Sequence, residues 1–537
     1  MTSDRRIARP ESPLNALSRR RLLQVGGAAA LVLGAGGLVA CGGSDSGSGN
    51  TQTDGGSGTP TRGGSLRVGA TSGGTGDTLE AQSPLTTMDF IRAGALFEQL
   101  VKMNGTDGRP ELVLAESIEP NADATEWTIR VKPDITFHNG KALTAADVLF
   151  SLRRIEENDF PGLSTIGPID LAGASVMDDR TLRIPFGAPF AIFLEGLADV
   201  FATRIVPEGY DPATPVGTGP FKFGSFTPGQ QSNFPRFDGY WQEGKPYLDE
   251  LVIINFADET AQINALQSGQ VDLVNQLSST SVGLVEQAGG RVVVSKTRGF
   301  VPLTMRVDTA PFSDVRVRQA LRLLVNRQDM NEQIYGGLGA IGNDTYGAID
   351  AAYEGTNPQR EQDLDQARSL LSSAGHSDLQ VELFSAATGP GAESIASVFA
   401  SQAEQAGVSV RITTQDPTQF WSQSYSKVPF AQSFWNTGSY LTMAGHGIAT
   451  GAPFNEIHQT DPGWQSTYDK ALATVDPTAR GELVRELLKF DYDKGGYIIP
   501  VYFPGIEGMT SGVGGVAEDV TGIPINGGSW QNVWLQS

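Results

Sequence analysis

At 537 residues the chain is too long for one hydrophobic core, and 39% hydrophobic with 18% charged residues is the balance of a globular protein of two or three structural domains. Sixty acidic against thirty-nine basic residues leave a net charge of −21, the wrong sign for following a phosphate backbone, so no nucleic acid partner is expected. The lone cysteine, Cys41, excludes an intrachain disulfide.

Ser18-Arg19-Arg20-Arg21-Leu22-Leu23 places paired arginines ahead of the uncharged run 25–40, the layout of a signal peptide over residues 1–40. As a helix that run spans about 24 Å, short of the roughly 30 Å hydrocarbon core, so it reads as a cleaved leader and not as a permanent span. It closes on Leu38-Val39-Ala40-Cys41, which resembles a bacterial lipobox, and the arginine pair resembles a twin-arginine export signal. The resemblance implies that Cys41 receives a diacylglycerol, becomes residue one, and anchors the protein to the outer face of the cell membrane. Residues 41–64 are dominated by Gly, Ser, Thr and Asp and hold no aliphatic side chain, so a flexible tether is expected there. Losing residues 1–40 removes six Arg and two acidic residues and takes the net charge from −21 to −25.

From residue 65 strand-like and helix-like segments alternate, which argues for an α/β class. Leu66, Arg67 and Val68 open as a strand. Leu96, Phe97, Leu100 and Val101 fall at helical spacing within 90–101, while Trp127, Ile129 and Val131 alternate as in a half-buried strand. Thr144, with Asp147 three residues on, predicts a capped helix whose apolar stripe is Val148, Leu149, Leu152 and Ile155. Further on, the pattern predicts a buried strand over 251–254, a short helix on Ile263 and Leu266, and a long helix on Val317, Ala320, Leu321 and Leu324. It also predicts a helix on Leu364, Ala367 and Leu371, a strand on Val408, Val410 and Ile412, and a helix on Leu483, Leu487 and Phe490 before a strand over 498–503.

Reacting groups are scarce. His138, His376, His446 and His458 are the four histidines, and none stands at metal-ligand spacing, so no metal or other cofactor is expected. Neither Gly140-Lys141 nor Gly244-Lys245 is followed by Ser or Thr, which removes a nucleotide-binding phosphate loop. Gly337, Gly339 and Gly342 make one G-x-G-x-x-G, but it follows a helix instead of a strand and reads as a glycine-rich turn. His138, within Phe137-His138-Asn139-Gly140, reads as a structural histidine at a turn.

Several blocks are more specific. Leu96-Phe97-Glu98-Gln99-Leu100, Phe137-His138-Asn139-Gly140-Lys141, Pro215-Val216-Gly217-Thr218-Gly219-Pro220-Phe221 and Tyr240-Trp241 follow one another along the body. Leu266-Gln267-Ser268-Gly269-Gln270-Val271-Asp272-Leu273 and Phe312-Ser313-Asp314-Val315-Arg316 come next. Together they resemble the family 5 extracellular solute-binding proteins, the oligopeptide-, dipeptide- and nickel-binding components of ABC importers.

The resemblance implies a type II periplasmic-binding-protein-like fold of two α/β lobes with a hinge between them. Its segments would be 65–91 and 206–295 in lobe I, 92–205 as an extra subdomain, 296–499 as lobe II, and 500–537 as a return to lobe I. It implies a monomeric binding protein and not an enzyme, which captures a peptide or other neutral or zwitterionic solute by lobe closure and delivers it to permease subunits. Closure would follow from the guest's higher affinity for the shut form.

In peptide-binding members a Trp followed by an Asp anchors the α-ammonium group of the guest. The comparable stretch here is Phe434-Trp435-Asn436-Thr437-Gly438-Ser439-Tyr440, with no carboxylate. Trp435, Asn436, Ser439 and Tyr440 would offer an aromatic face and neutral hydrogen-bonding groups, unless the aromatics are interior packing. Thr75 and Asp77, after the first strand, are candidates from the other lobe, with Asp77 a substitute carboxylate, and His446 keeps a metal-chelate guest open. Two other classes remain: a surface hydrolase, which would need a nucleophile with a base or a carboxylate pair in the cleft, and a sensory or chaperone-like binder.

Overall fold

The computed structural model describes residues 58–84, 86–199 and 203–536. The signal segment, Cys41 and the tether up to residue 57 lie outside the described residues. The end of the expected tether is tied down: Gly63 N–H donates to the Tyr247 carbonyl at 2.9 Å, Gly64 N–H to Asp249 Oδ2 at 3.0 Å, and the Thr61 hydroxyl to the Leu535 carbonyl. These polar residues are held by hydrogen bonds to distant segments, not by buried apolar area, which composition does not register.

Two sheets organise the body. The first has seven strands, in the order Arg291–Ser295, Gly505–Met509, Leu273–Val274, Ser65–Ala70, Glu250–Asn255, Gln231–Pro235 and Ser225–Thr227. Ser65–Ala70 is parallel to both of its neighbours, and Gly505–Met509 is antiparallel to both of its own. Leu66, Val68, Leu251, Ile253 and Leu273 are fully buried in its core. The second sheet has five strands, in the order Ser409–Thr414, Gln380–Ser385, Phe430–Gln432, Leu303–Met305 and Tyr497–Ile498, and its core holds Leu303, Met305, Leu383 and Phe430. A four-stranded antiparallel sheet with the helix Ala145–Glu157 builds a third body between Ala115 and Pro185.

The chain passes between the two main sheets over 296–302 and returns just after Val501–Tyr502. The two crossings are bonded side by side: Phe503 N–H donates to the Gly299 carbonyl at 3.0 Å, and the Thr297 hydroxyl to the Phe503 carbonyl at 2.5 Å. Phe300 forms bridges to both Trp435 and Tyr502.

Most expected elements form, and the capping box of Thr144 and Asp147 is present. The differences have local causes. The helix expected over 90–101 is Thr87–Leu96, because the carbonyls of Ala95 and Leu96 are taken by the N–H groups of Phe221 and Gly219 at 3.1 and 3.0 Å. Phe97, Leu100 and Val101 remain buried on extended chain. The long helix on Val317 is Val315–Leu323, and a second helix, Arg327–Tyr335, starts where the Asn326 side chain accepts from Asp329 N–H. The strand over 498–503 is two short pieces separated by Pro500, which has no N–H to donate.

The recurring blocks lock onto one another. Glu98 accepts from Tyr240 Oη at 2.8 Å and Trp241 Nε1 at 2.9 Å, and burial pushes its carboxyl up to about 7 against those hydrogen bonds. His138 Nδ1 accepts from Gly217 N–H at 3.2 Å while Nε2 lies 3.0 Å from the Gly219 carbonyl, and burial lowers its pKa to about 4. His138 is therefore structural. Gly217 is required for closeness, not for an unusual φ: a Cβ there would collide with the Leu96 carbonyl. The glycine-rich turn follows the same logic, since a Cβ on Gly342 would run into the Ile499 carbonyl.

Candidate ligand-binding cleft

Where the third body meets the second sheet's lobe there is a cavity of about 470 Å³. Met103, Arg109, Ile192 and Glu195 line one side, and Ile349, Asp350, Ser439, Leu441, Arg480 and Val484 the other. Polar contacts bridge the walls. Ala191 N–H donates to the Leu472 carbonyl at 2.6 Å, and Arg480 Nη2 lies 3.6 Å from Glu195 Oε1. Burial pushes the Glu195 carboxyl up, with Arg480 opposing, and pushes Asp350 up to about 7, against the hydrogen bond from Tyr440 N–H. Arg480 and Glu195 are 16% and 22% exposed, so removing one partner should cost about 1 kcal/mol, or roughly fivefold in an equilibrium that depends on this contact. Arg480→Ala is expected to weaken guest affinity by that factor in calorimetry; an unchanged affinity would count against contact between these walls in the bound state.

The loop 434–440 lies against the crossing segments. Arg298 N–H donates to Thr437 Oγ1 at 3.0 Å, and Thr437 Oγ1 donates to the Val520 carbonyl at 3.0 Å. Trp435 is half-buried, with Nε1 3.3 Å from Glu456 Oε2. Glu456 also accepts from Tyr425 Oη at 2.7 Å and from Ser433 Oγ, and burial pushes it up to about 7 against these bonds. Asn436 is exposed. Ser439 is 8% exposed, and its hydroxyl lies 2.8 Å from that of Thr442.

Other candidates are committed elsewhere. Tyr440 is fully buried, stacked on Tyr346 with centroids 5.1 Å apart, and its hydroxyl donates to Asp491 at 2.6 Å, so it is interior packing and presents no face to a guest. Asp77 is no substitute carboxylate: Arg92 Nη1 lies 2.9 Å away with both side chains almost wholly buried, and Gly74 and Gly229 N–H groups donate to it. Thr75 is exposed in the same turn. His446 is buried, and burial lowers its pKa against the pull of Asp199. Among the described residues no group of three His, Cys, Asp or Glu side chains could hold a metal ion. Glu195, Asp350, Glu456 and Arg480 escape sequence reasoning because each meets its partner from a distant segment.

The model of the bacterial extracellular solute-binding proteins, family 5 Middle, matches residues 109–446. The chain belongs to this family. Among curated relatives, the glutathione-binding protein GsiB of Pectobacterium atrosepticum is 26% identical over 406 residues, covering 70% of this chain and 76% of that protein. The heme-binding protein A of Haemophilus influenzae is 28% identical over 313 residues, covering 51% and 55%. Among solved structures, DppA of Helicobacter pylori in complex with the peptide STSA superposes with a TM-score of 0.74 at 20% identity, covering 89% of this chain and 99% of that one. AgaA of A. tumefaciens R10 in complex with agropinic acid gives 0.72 at 25% identity, covering 88% and 99%.

The family 5 member described here therefore has the type II periplasmic-binding-protein fold and is an extracytoplasmic solute-binding protein of the ABC-importer type. These relatives are binding proteins and not enzymes. No helix among the described residues is long and apolar enough to cross a membrane.

Proposed function

We propose that this protein is the lipid-anchored receptor of an ABC importer, a monomer that captures a small neutral or zwitterionic solute, short peptides included, and presents it in a shut form to the permease subunits. The observation that carries the reading is the paired crossing between two sheets, bonded through Phe503 to Gly299, with the loop 434–440 held against it. A narrow connection of this kind is where two rigid bodies can swing, and a guest touching both stabilises the shut form by its differential affinity.

The guests of its relatives, a tetrapeptide, agropinic acid, glutathione and heme, support a scaffold whose selectivity is set by a few side chains. The stretch 435–440 lacks an acidic residue, and Asp77 is neutralised by Arg92, so a guest that depends on a carboxylate at either place is disfavoured. The arginine pair ahead of 25–40 and Cys41 support export and lipidation at that cysteine. The test uses the mature chain with Cys41→Ser against peptides, opines, sugars and metal chelates, read by thermal shift and small-angle scattering. A guest should raise Tm by binding the native state and shrink the radius of gyration. Turnover of a hit, or binding without compaction, would defeat the reading.

A further inference from the structure

Arg298 stands in the first crossing, between the strands Arg291–Ser295 and Leu303–Met305. It is half-buried, and its Cζ lies 5.9 Å from the ring centroid of Tyr502. Among the described arginines that are not exposed, every other guanidinium reaches a carboxylate or a carbonyl; even Arg204 and Arg291 reach the carbonyls of Ala81 and Val513. Arg298 reaches neither. Asp344, which acts with Arg298 on the Tyr353 and Tyr502 phenols, is already paired with Arg327 and Arg360 at 2.7 and 2.9 Å. Half-burying a guanidinium without an acceptor is unfavourable, and a site that retains it gains when an anion arrives.

Its surroundings fit a guest. Tyr353 and Tyr502 place their hydroxyls 3.1 Å apart, and the charge of Arg298 acts on both phenols, whose pKa values burial raises. Tyr502 is held by the Thr345 carbonyl at 2.8 Å, so the ring under the guanidinium is fixed. The backbone of Arg298 is bonded to Thr437, in the loop of Trp435 and Asn436. One planar fork, one phenol pair and one aromatic loop are thus brought together at the crossing.

We infer that Arg298 is the anion anchor of the cleft and that the guest carries a carboxylate, received by the guanidinium beside Tyr353. This rests on the receptor reading above and narrows it: of the neutral and zwitterionic solutes, those with a free carboxylate are selected. The planar fork suits two parallel hydrogen bonds to a carboxylate, which an ammonium would not reproduce.

The experiment titrates the mature chain with free-acid amino acids and dipeptides to tetrapeptides, each paired with its primary amide, by calorimetry. An acid should bind roughly 30-fold or more tighter than its amide, the cost of leaving a desolvated cation unpaired. Arg298→Gln should bring the acid down to the level of the amide while leaving the amide's affinity unchanged, a difference that a merely structural role would not produce. Arg298→Lys should retain part of the preference. The acid–amide comparison in the unaltered protein stands even if a variant folds poorly. An acid and amide bound equally, with compaction still seen in scattering, would overturn this inference and leave the receptor reading intact. No binding by either set would overturn this inference too, while binding of a sugar or metal chelate in the wider screen would keep the receptor reading.

Discussion

Asp344→Ala should cost about 3–5 kcal/mol of unfolding free energy, the penalty for removing one member of a buried ionic cluster. Its carboxylate is 1% exposed and receives both Nη2 hydrogen bonds of Arg327, at 2.7 and 2.8 Å, together with Arg360 Nε at 2.9 Å and the N–H of Ile499 at 3.1 Å. Burial opposes ionisation, but Arg327, Arg360 and Arg322 together hold the carboxyl below its ordinary value. Without it two guanidiniums lose their anion inside the fold. The same group fixes the start of 345–353, which carries Asp350 to the cavity wall and Tyr353 to Arg298. Guest affinity should therefore fall along with Tm. Urea titration checks the first effect; a loss below about 1 kcal/mol would mean that the arginines find other partners.

Stability should also fall from about pH 5.5 to about pH 8, by several degrees in Tm. Burial pushes Glu98, Asp350, Glu456 and Asp491 up to about 7 and Glu507 up to about 8. A carboxyl whose pKa is raised on folding binds its proton more tightly in the native state. Its contribution is full below the unfolded value near 4 and is lost as pH rises through 7 to 8. His138 and His446, held neutral by burial, act in the opposite sense and remove stability as pH falls below about 6.5. Five carboxyls outweigh two imidazoles, so the net slope is downward. Differential scanning calorimetry at several pH values decides it, and a Tm that is flat or rises across this range would contradict the burial of these acids.

Local signals reported local structure well. The Thr144 capping box, the alternation at Trp127 to Val131 and the turn after Tyr335 are all where the residues put them, because each depends on neighbours a few positions away. The recurring blocks proved to be scaffold: Glu98 with Tyr240 and Trp241, and His138 with Gly217, join segments more than 75 residues apart. The site was less legible. Asp77 looked like a free acid because nothing in its vicinity announces that Arg92 turns back onto it from a helix, and Tyr440 looked like a guest platform because a loop aromatic and a core aromatic read alike. Arg298 carried no signal at all. Its interest lies in what it lacks, and a missing partner becomes visible only once the other unexposed guanidiniums among the described residues have been placed.

The strand Gly505–Met509 sits inside the first sheet, between Arg291–Ser295 and Leu273–Val274. During synthesis, then, the half of the protein that begins first must wait for nearly the last residues before its central ladder can close, while the five-stranded half has its last strand by Ile498 and its core by Phe503. Such long-range pairing is slow and leaves unpaired edges exposed in the interim. A nascent chain stalled before residue 505 would hold one finished lobe and one open sheet, a species that chaperones must shield and that an export route restricted to folded cargo would reject.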